Sequence, residues 1–183
     1  MQDEMRSETA EAARTSGDTV AGPVGAGEEP RWLDAEEQEA FMALMSVVLR
    51  LETALDAQLR TNSGISHFEY SVIATLSEAP EETLRMGQLA HLASGSLPRL
   101  SQVVGRLERR GWVRRTPCPE DRRAMLATLT EEGRKAVVAA APGHVAEARR
   151  LIFDPLTRSQ VRQLATIGRR IMSAVDPEDR CLG

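Results

Sequence analysis

The chain has 183 residues, of which 42% are apolar and 3% aromatic, and its formal net charge at pH 7 is −4. This length suits one folded domain with a tail, and the apolar fraction is sufficient for a core. The scarcity of aromatic residues favours packed helices over a β-sandwich, and no apolar run approaches the roughly 18 residues that cross a membrane. The two cysteines, Cys118 and Cys181, and the lack of a signal-like N-terminal segment indicate a reducing, cytoplasmic setting.

Residues 1–30 contain seven acidic side chains and two arginines, a net charge of −5, and show no apolar period. Such a segment cannot bury enough apolar surface to offset the entropy that it loses on ordering. We therefore expect a disordered acidic tail here and a flexible C-terminus at residues 178–183. The folded domain is expected at residues 31–177.

The first predicted helix runs from Asp34 to Arg60, where apolar residues recur at the three- and four-residue spacing of one helix face. Asp34 can cap this helix, and glutamates follow in its first turn, where the helix dipole favours acids. A second helix is predicted from Ser66 to about Ser77, because Glu78-Ala79-Pro80 then stops it.

The next segment predicts a DNA-binding head. A short amphipathic helix is expected at Leu84 to Leu92, a turn at Ala93 to Gly95, and an arginine-rich helix at Ser96 to Arg110. Two β-prone runs follow at residues 112–116 and 125–129, joined by a polar loop. Helix, tight turn, basic helix and hairpin together describe a winged helix-turn-helix, in which the second helix enters the major groove.

The C-terminal part is predicted to be helical again. Thr130 can cap a long helix toward Phe153, and Pro142-Gly143 requires a kink or a break in it, because proline removes a backbone donor. A last helix is expected to start at Thr157 or Ser159.

Both terminal helices carry an apolar face that a small head would leave uncovered. Pairing two chains covers both faces, so we expect a mainly α homodimer; packing within one chain is the alternative. The dimerisation helices are placed at about residues 34–60 and 131–175, and the head at about residues 64–135.

Charge is segregated along the chain. Residues 94–135 hold ten basic and five acidic side chains, a net charge of +5. A basic region within an acidic chain is an electrostatic signature of phosphate binding. We therefore expect double-stranded DNA as the partner and, for a two-fold symmetric dimer, a pseudo-palindromic site.

The basic helix is predicted to turn five aliphatic residues inward: Leu97, Leu100, Val103, Val104 and Leu107. The DNA contacts predicted from the turn and this helix are Ser94, Ser96, Pro98, Arg99, Ser101, Gln102 and Arg106. Arginine reads guanine, glutamine reads adenine, and hydroxyls at a helix start can bind a phosphate. The alternative is that this face is an ordinary solvated surface.

The loop between the two strands adds Asp121, Arg122 and Arg123 to the predicted DNA contacts. Asp121 lies two residues before Arg123, close enough to orient its guanidinium by charge-assisted hydrogen bonds. An oriented arginine can enter a narrow minor groove. An ordinary surface ion pair of little energetic value is the alternative.

The chain here resembles the MarR family of bacterial transcription regulators over about residues 34–175. The resemblance rests on Leu89-Ala90, on the run from Arg99 to Val113 (RLSQVVGRLERRGWV), on Asp121-Arg122-Arg123, and on the run from Leu129 to Gly133 (LTEEG). It implies a recognition helix, a minor-groove arginine oriented by an aspartate, and a dimer interface made by the terminal helices. It also implies a repressor that a small molecule, often phenolic or aromatic, releases from DNA.

Four residues are candidates for the effector pocket, with core packing as their alternative: Met42, Met45, His67 and Phe68. Cys118, between two prolines of the wing, is the candidate for a redox-responsive regulator, and a constitutive architectural DNA-binding protein is a further alternative. No catalytic motif, cofactor motif or metal-ligand spacing is evident, so we expect neither an enzyme nor a bound metal or cofactor.

Overall fold

The computed structural model describes residues 30–121 and 123–176. The expectations for the acidic tail, Arg122, Cys181 and residues 178–183 therefore fall on residues outside these ranges, except for Pro30. Within the described ranges the chain forms α1 (Ala35–Ser63), α2 (His67–Glu78), β1 (Thr83–Arg85), α3 (Met86–Leu92), α4 (Leu97–Arg109), β2 (Val113–Pro117), β3 (Met125–Leu129), α5 (Glu131–Ala148) and α6 (Arg158–Val175). The predicted mainly α fold with a small β-hairpin wing is confirmed.

Side-chain caps start the helices where the sequence places them. Asp34 accepts hydrogen bonds from the amides of Glu36 and Glu37 at the start of α1. The caps of α2, α5 and α6 are Ser66, Thr130 and Thr157. Each supplies a side-chain oxygen to an amide that has no partner inside its own helix, which fixes where the helix begins.

The sheet has one strand more than the sequence predicts. Its order is β1-β3-β2, with antiparallel pairing throughout. β1 includes Leu84 and Arg85, which the sequence predicts to be helical, so α3 begins only at Met86. Pairing with β3 overrides the helical pattern here, and the hydroxyls of Thr83 and Thr128 lie 2.9 Å apart across the two strands.

Of the kink or break predicted at Pro142-Gly143, the structure rules out the break, because α5 runs from Glu131 to Ala148 with Pro142 inside it. The helix then widens into a π-helical turn at Arg149–Phe153 before α6 begins. Gly143 allows α5 to approach α1, since a Cβ there would lie 3.1 Å from the Gln58 Nε2 atom. Close packing against α1 thus coincides with the position where the sequence indicates a kink or a break.

The core lies among α2, α3, α4 and the sheet, with contributions from the end of α1 and from α5. Its fully buried members include Leu59, Val72, Ile73, Leu76, Leu89, Leu100, Val104 and Leu107. Gly133 brings the first turn of α5 against the wing, because a Cβ at this position would overlap the Trp112 carbonyl oxygen. No helix within residues 30–121 or 123–176 is long and apolar enough to cross a bilayer.

Candidate nucleic-acid interface

The turn between α3 and α4 is held by backbone hydrogen bonds and by one close contact. The Gly95 amide donates to the Ala90 carbonyl at 2.8 Å, and Ser94 adopts a left-handed φ of 52°. Gly95 lies against the Phe68 ring so closely that a Cβ there would overlap it. Ser96 then caps α4 through the Arg99 amide. The α2 aromatic ring therefore fixes where the recognition helix starts.

The recognition helix α4 buries one face and exposes the other. Leu100, Val103, Val104 and Leu107 are buried, as the sequence predicts. The prediction for Leu97 is wrong, because its side chain is 52% exposed. At about 100° per residue, Pro98 and Gln102 lie near the middle of the exposed face. Leu97 and Ser101 flank that face on the side of the wing.

Two arginines on the other flank of α4 are held by α2. The Arg106 Nε atom donates to Glu69 Oε1 at 2.9 Å, and the Arg99 guanidinium lies 4.1 Å from the centre of the Phe68 ring. Glu69 is buried, whereas the Arg106 side chain is 47% exposed. Sequence reasoning missed these partners because they lie about 30 to 40 positions away along the chain.

Glu69 also forms the capping box of α2. Its Oε2 atom accepts hydrogen bonds from the Ser66 amide at 2.9 Å and the Ser66 hydroxyl at 3.1 Å. Burial raises the pKa of Glu69, but these bonds and the bond from Arg106 outweigh it, so the pKa lies below its ordinary value. The buried carboxylate is therefore stabilised in its charged form.

The wing positions Arg123 differently from the predicted arrangement. Asp121 Oδ1 accepts a hydrogen bond from the Arg123 backbone amide at 3.0 Å. The aspartate thus shapes the turn that carries Arg123, instead of the guanidinium contact predicted from the sequence. Both residues are exposed at the tip, and Arg122 lies outside the described residues.

Ion pairs with glutamates neutralise several of the arginines in the head and the wing. Arg106 pairs with Glu69, Arg115 with Glu108, and Arg134 with Glu82 and Glu131. The Arg115–Glu108 pair also joins the end of α4 to β2, since Glu108 accepts from both the Arg115 amide and its Nε atom. These arginines orient the head and the wing relative to each other, so the local net charge overstates the number of unpaired cations.

A groove of about 430 Å³ separates α4 from the wing. We call it the wing groove; its lining includes Met86, Leu97, Ser101, Arg115, Arg123 and Met125. It combines apolar side chains with arginines and opens on the same face as the exposed side of α4. The predicted contacts Ser101 and Arg123 thus share one surface, whereas Arg99, Gln102 and Arg106 line a second, polar groove on the α2 side.

The sequence profile of the MarR family matches residues 63–124. Over 140 residues the chain is 31% identical to the HTH-type transcriptional regulator PecS of Dickeya dadantii (strain 3937), covering 75% of this chain and 82% of that protein. The chain belongs to the MarR family.

Two solved structures extend the comparison. Sco3205, a MarR family transcriptional regulator from Streptomyces coelicolor solved in complex with DNA, is 41% identical with a TM-score of 0.78, covering 83% of this chain and 96% of that one. CouR from Rhodococcus jostii RHA1, solved with bound p-coumaroyl-CoA, is 26% identical with a TM-score of 0.66, covering 80% and 99%. This MarR-family chain is accordingly a DNA-binding transcription regulator and not an enzyme.

In this MarR-family protein the four candidate pocket residues do not gather within one chain. Phe68 is buried against Gly95 and Arg99 of the head, whereas the neighbouring His67 lies beside His144 of α5. The His67 amide donates to Asp56 of α1 at 2.8 Å. At 1.5 Å per residue, Met42 lies about 21 Å and Met45 about 16 Å from Asp56, toward the N-terminal end of α1.

A polar cluster that the sequence pattern does not indicate lies where α1, α2 and α5 meet. The His144 ring lies 5.5 Å from the His67 ring and 4.6 Å from the Tyr70 ring, measured between centroids. The His144 Nδ1 atom and both polar atoms of the Gln58 side chain are buried without a hydrogen-bond partner among the described residues. Burial, aided by His67, lowers the pKa of His144. We call these four residues the α5 cluster.

Cys118 has a different environment from the one expected of a redox sensor. Its side chain is 2% exposed, and its thiol lies 3.8 Å from a Glu120 carboxylate oxygen. A redox-sensing thiol needs access to the oxidant, so burial disfavours this role. Within the described residues, no group of three His, Cys, Asp or Glu side chains is placed to hold a metal ion.

Proposed function

We propose that the protein is a homodimeric repressor that binds a pseudo-palindromic operator and leaves it when a small aromatic molecule binds. The exposed face of α4 beside an arginine-tipped wing carries this proposal. A recognition helix enters the major groove with its N-terminal residues at the base edges, while Arg123 reaches the minor groove. The DNA complex of the related Sco3205 supports this mode of binding. A cytoplasmic location follows from the proposed role.

Unpartnered apolar side chains support the dimer. On α1, Phe41, Met42, Leu44, Val47, Val48 and Leu49 are all exposed, and on α6 so are Leu164, Ile167, Ile171, Met172 and Val175. α6 has no buried residue at all in the single chain. Large contiguous apolar faces of this kind mark protein interfaces, and a second copy of the chain covers them symmetrically.

The α5 cluster is the part of the structure that best fits an effector site. Its buried amide and imidazole atoms lack partners, which is costly unless a ligand or water supplies them. The aromatic edges of His67 and Tyr70 beside it suit a planar ring. The bound p-coumaroyl-CoA of CouR supports the aromatic class of ligand. The cluster replaces the pocket expected from the sequence, of which it retains only His67.

The experiment that tests DNA recognition starts from operators selected out of random duplex DNA. Binding of the full chain should fall by about 10³ to 10⁵ between 50 and 200 mM salt if roughly 6 to 10 phosphates are contacted. Arg123→Ala should weaken all selected operators, whereas Gln102→Ala should mainly relax the preference at one base pair. Arg150→Ala is the matched control, because Arg150 pairs with Glu147 far from α4 in the chain.

Three outcomes would contradict this function. An affinity that does not change with salt would show that the protein makes few phosphate contacts. Equal effects of Arg123→Ala and Gln102→Ala on every operator would show that the two residues do not divide into a groove contact and a base contact. Weak sequence preference without ligand-dependent release would favour an architectural DNA-binding protein.

The effector site is tested by heating the protein with aromatic carboxylates and their thioesters, p-coumarate and p-coumaroyl-CoA among them. A binding ligand raises the melting temperature of the wild type and lowers its operator affinity. Gln58→Ala should abolish both responses while leaving operator binding intact without ligand. Retention of both responses in this variant would place the ligand elsewhere.

A further inference from the structure

Leu97 occupies an unusual position for an exposed leucine. A single exposed leucine is ordinary on a protein surface. Leu97, however, is the first residue of the recognition helix, the end that lies closest to base edges in helix-turn-helix proteins. Its side chain is 52% exposed and lines the wing groove next to Ser101. An apolar group therefore stands where polar contacts to DNA are expected.

The wing groove is lined by both apolar and positively charged side chains, which restricts the class of ligand that it can bind. Leu97 and Met125 expose apolar surface within it, and Arg85, Arg115 and Arg123 lie around them. Arg115 is paired with Glu108 and Arg85 with Glu120, so it is mainly Arg123 at the wing tip whose positive charge favours a polyanion. Among the groups that a DNA duplex presents in its major groove, the C5-methyl group of thymine is the apolar one. A thymine in the major groove meets both requirements at once.

We propose that Leu97 is a specificity-determining residue that contacts the methyl group of one thymine in each operator half-site. The proposal rests on the proposed function, since it requires α4 in the major groove. It adds a base preference that the polar residues of α4 do not provide, because neither Ser101 nor Gln102 distinguishes thymine from uracil by hydrogen bonding.

The test removes the methyl group without changing any hydrogen bond. Each thymine of a selected operator is replaced in turn by deoxyuridine, and affinities are measured for the wild-type dimer. Loss of one buried methyl contact predicts about a fourfold weaker affinity per half-site, and about sixteenfold when both half-sites are changed. The effect should appear at one position of each half-site, in symmetric places.

The variants then assign the effect to Leu97. Leu97→Ala should bind the thymine operator about as weakly as the wild type binds the uracil operator, and should show no further loss on uracil substitution at that position. Leu97→Met, which retains an apolar side chain, should restore part of the methyl dependence. Leu92→Ala is the matched control, because Leu92 is 39% exposed and does not line the wing groove. Thermal melting verifies that each variant is folded.

The proposal is overturned if uracil substitution has no effect on the wild type, or if Leu97→Ala keeps the full uracil penalty. It is also overturned if Leu97→Ala changes only ligand binding or self-association, since the groove would then hold a small molecule or a second chain. Absence of any sequence-specific operator would contradict the proposed function as well, which separates that failure from a wrong assignment of Leu97.

Discussion

At the scale of single residues, three consecutive residues of α2 connect α1 and α5 to the recognition helix: His67, Phe68 and Glu69. The His67 amide is bound by Asp56 of α1, and its ring lies beside α5. Phe68 packs against the turn before α4, and Glu69 binds Arg106 within α4. A displacement of α1 or α5 relative to α2 would therefore reach the recognition helix through adjacent residues. This short connection is the physical route by which a ligand bound in the α5 cluster would act on the recognition helix.

Glu69→Gln should lower the free energy of unfolding by about 1 to 2 kcal/mol near neutral pH. The buried carboxylate then no longer neutralises Arg106, although the 47% exposure of the Arg106 side chain moderates the cost. Because the pKa of Glu69 is lowered in the folded state, its contribution is complete above the unfolded pKa and is lost as the pH falls through the folded pKa. Urea unfolding at several pH values measures both effects.

The control for Glu69 is Glu120→Gln, which removes an exposed carboxylate whose side chain is 82% accessible. We expect this variant to change stability by less than about 0.5 kcal/mol. The difference between wild type and Glu69→Gln should shrink as the pH drops below about 4.5. A difference that stays constant down to acidic pH would contradict the ionised pair.

Gly95→Ala should destabilise the protein by about 1 to 3 kcal/mol, because the added Cβ overlaps the buried Phe68 ring. Gly87→Ala is a matched control, since a Cβ at Gly87 meets nothing within 4 Å and the residue lies in α3. That substitution should be neutral or stabilising by up to about 1 kcal/mol. Thermal and chemical melts compare the two; equal effects would mean that the turn adapts without strain.

At the scale of elements, local signals in the sequence identify helix starts well and long-range packing poorly. Asp34, Ser66, Thr130 and Thr157 cap helices as predicted, because a cap needs only its own amides a few residues away. β1 was missed because three residues become a strand only through pairing with β3.

The candidate site shows the same division. The recognition helix and the wing follow from local patterns, and both are where the sequence places them. The exposure of Leu97, the Glu69–Arg106 pair and the α5 cluster depend on contacts between distant segments, which periodicity does not encode. The amphipathic period places Leu97 on the buried face of α4. Leu97 is the first residue of the helix, however, and the core covers only the aliphatic residues that follow it.

Pro142→Ala tests why α5 remains continuous. The proline lacks the amide that would bond to the Val138 carbonyl one turn earlier, and Val138 is 66% exposed. Restoring the bond in an unbroken helix should raise the free energy of unfolding, by up to about 3 kcal/mol. Urea unfolding measures the gain. A loss of stability would indicate that packing of Gly143 against Gln58 needs a bend that only the proline provides.

At the scale of the whole molecule, a single chain covers the core of the head but leaves its first and last helices largely without partners. Of α1, only Leu55 and Leu59 are buried. Several basic side chains of the head and wing are already paired with carboxylates. One head offers few cations for DNA, so the proposed dimer, with two heads about one helical turn of DNA apart, would bind more tightly than a single head.

Ile167→Glu places a charge in the middle of the apolar face of α6, where Ile167 is 54% exposed in the single chain. Burying an unpaired carboxylate in a dimer interface is strongly unfavourable, so the variant should sediment as a monomer at micromolar concentration. The head should stay folded, because no core residue changes, and operator affinity should fall by about 10² to 10⁴ as the two half-sites become independent. Thr166→Glu adds the same charge about 100° around α6, on the side away from its apolar face, and should remain dimeric with full affinity. If Ile167→Glu remained a dimer, or bound the symmetric operator as a monomer at full strength, the pairing of two heads would not be the source of affinity.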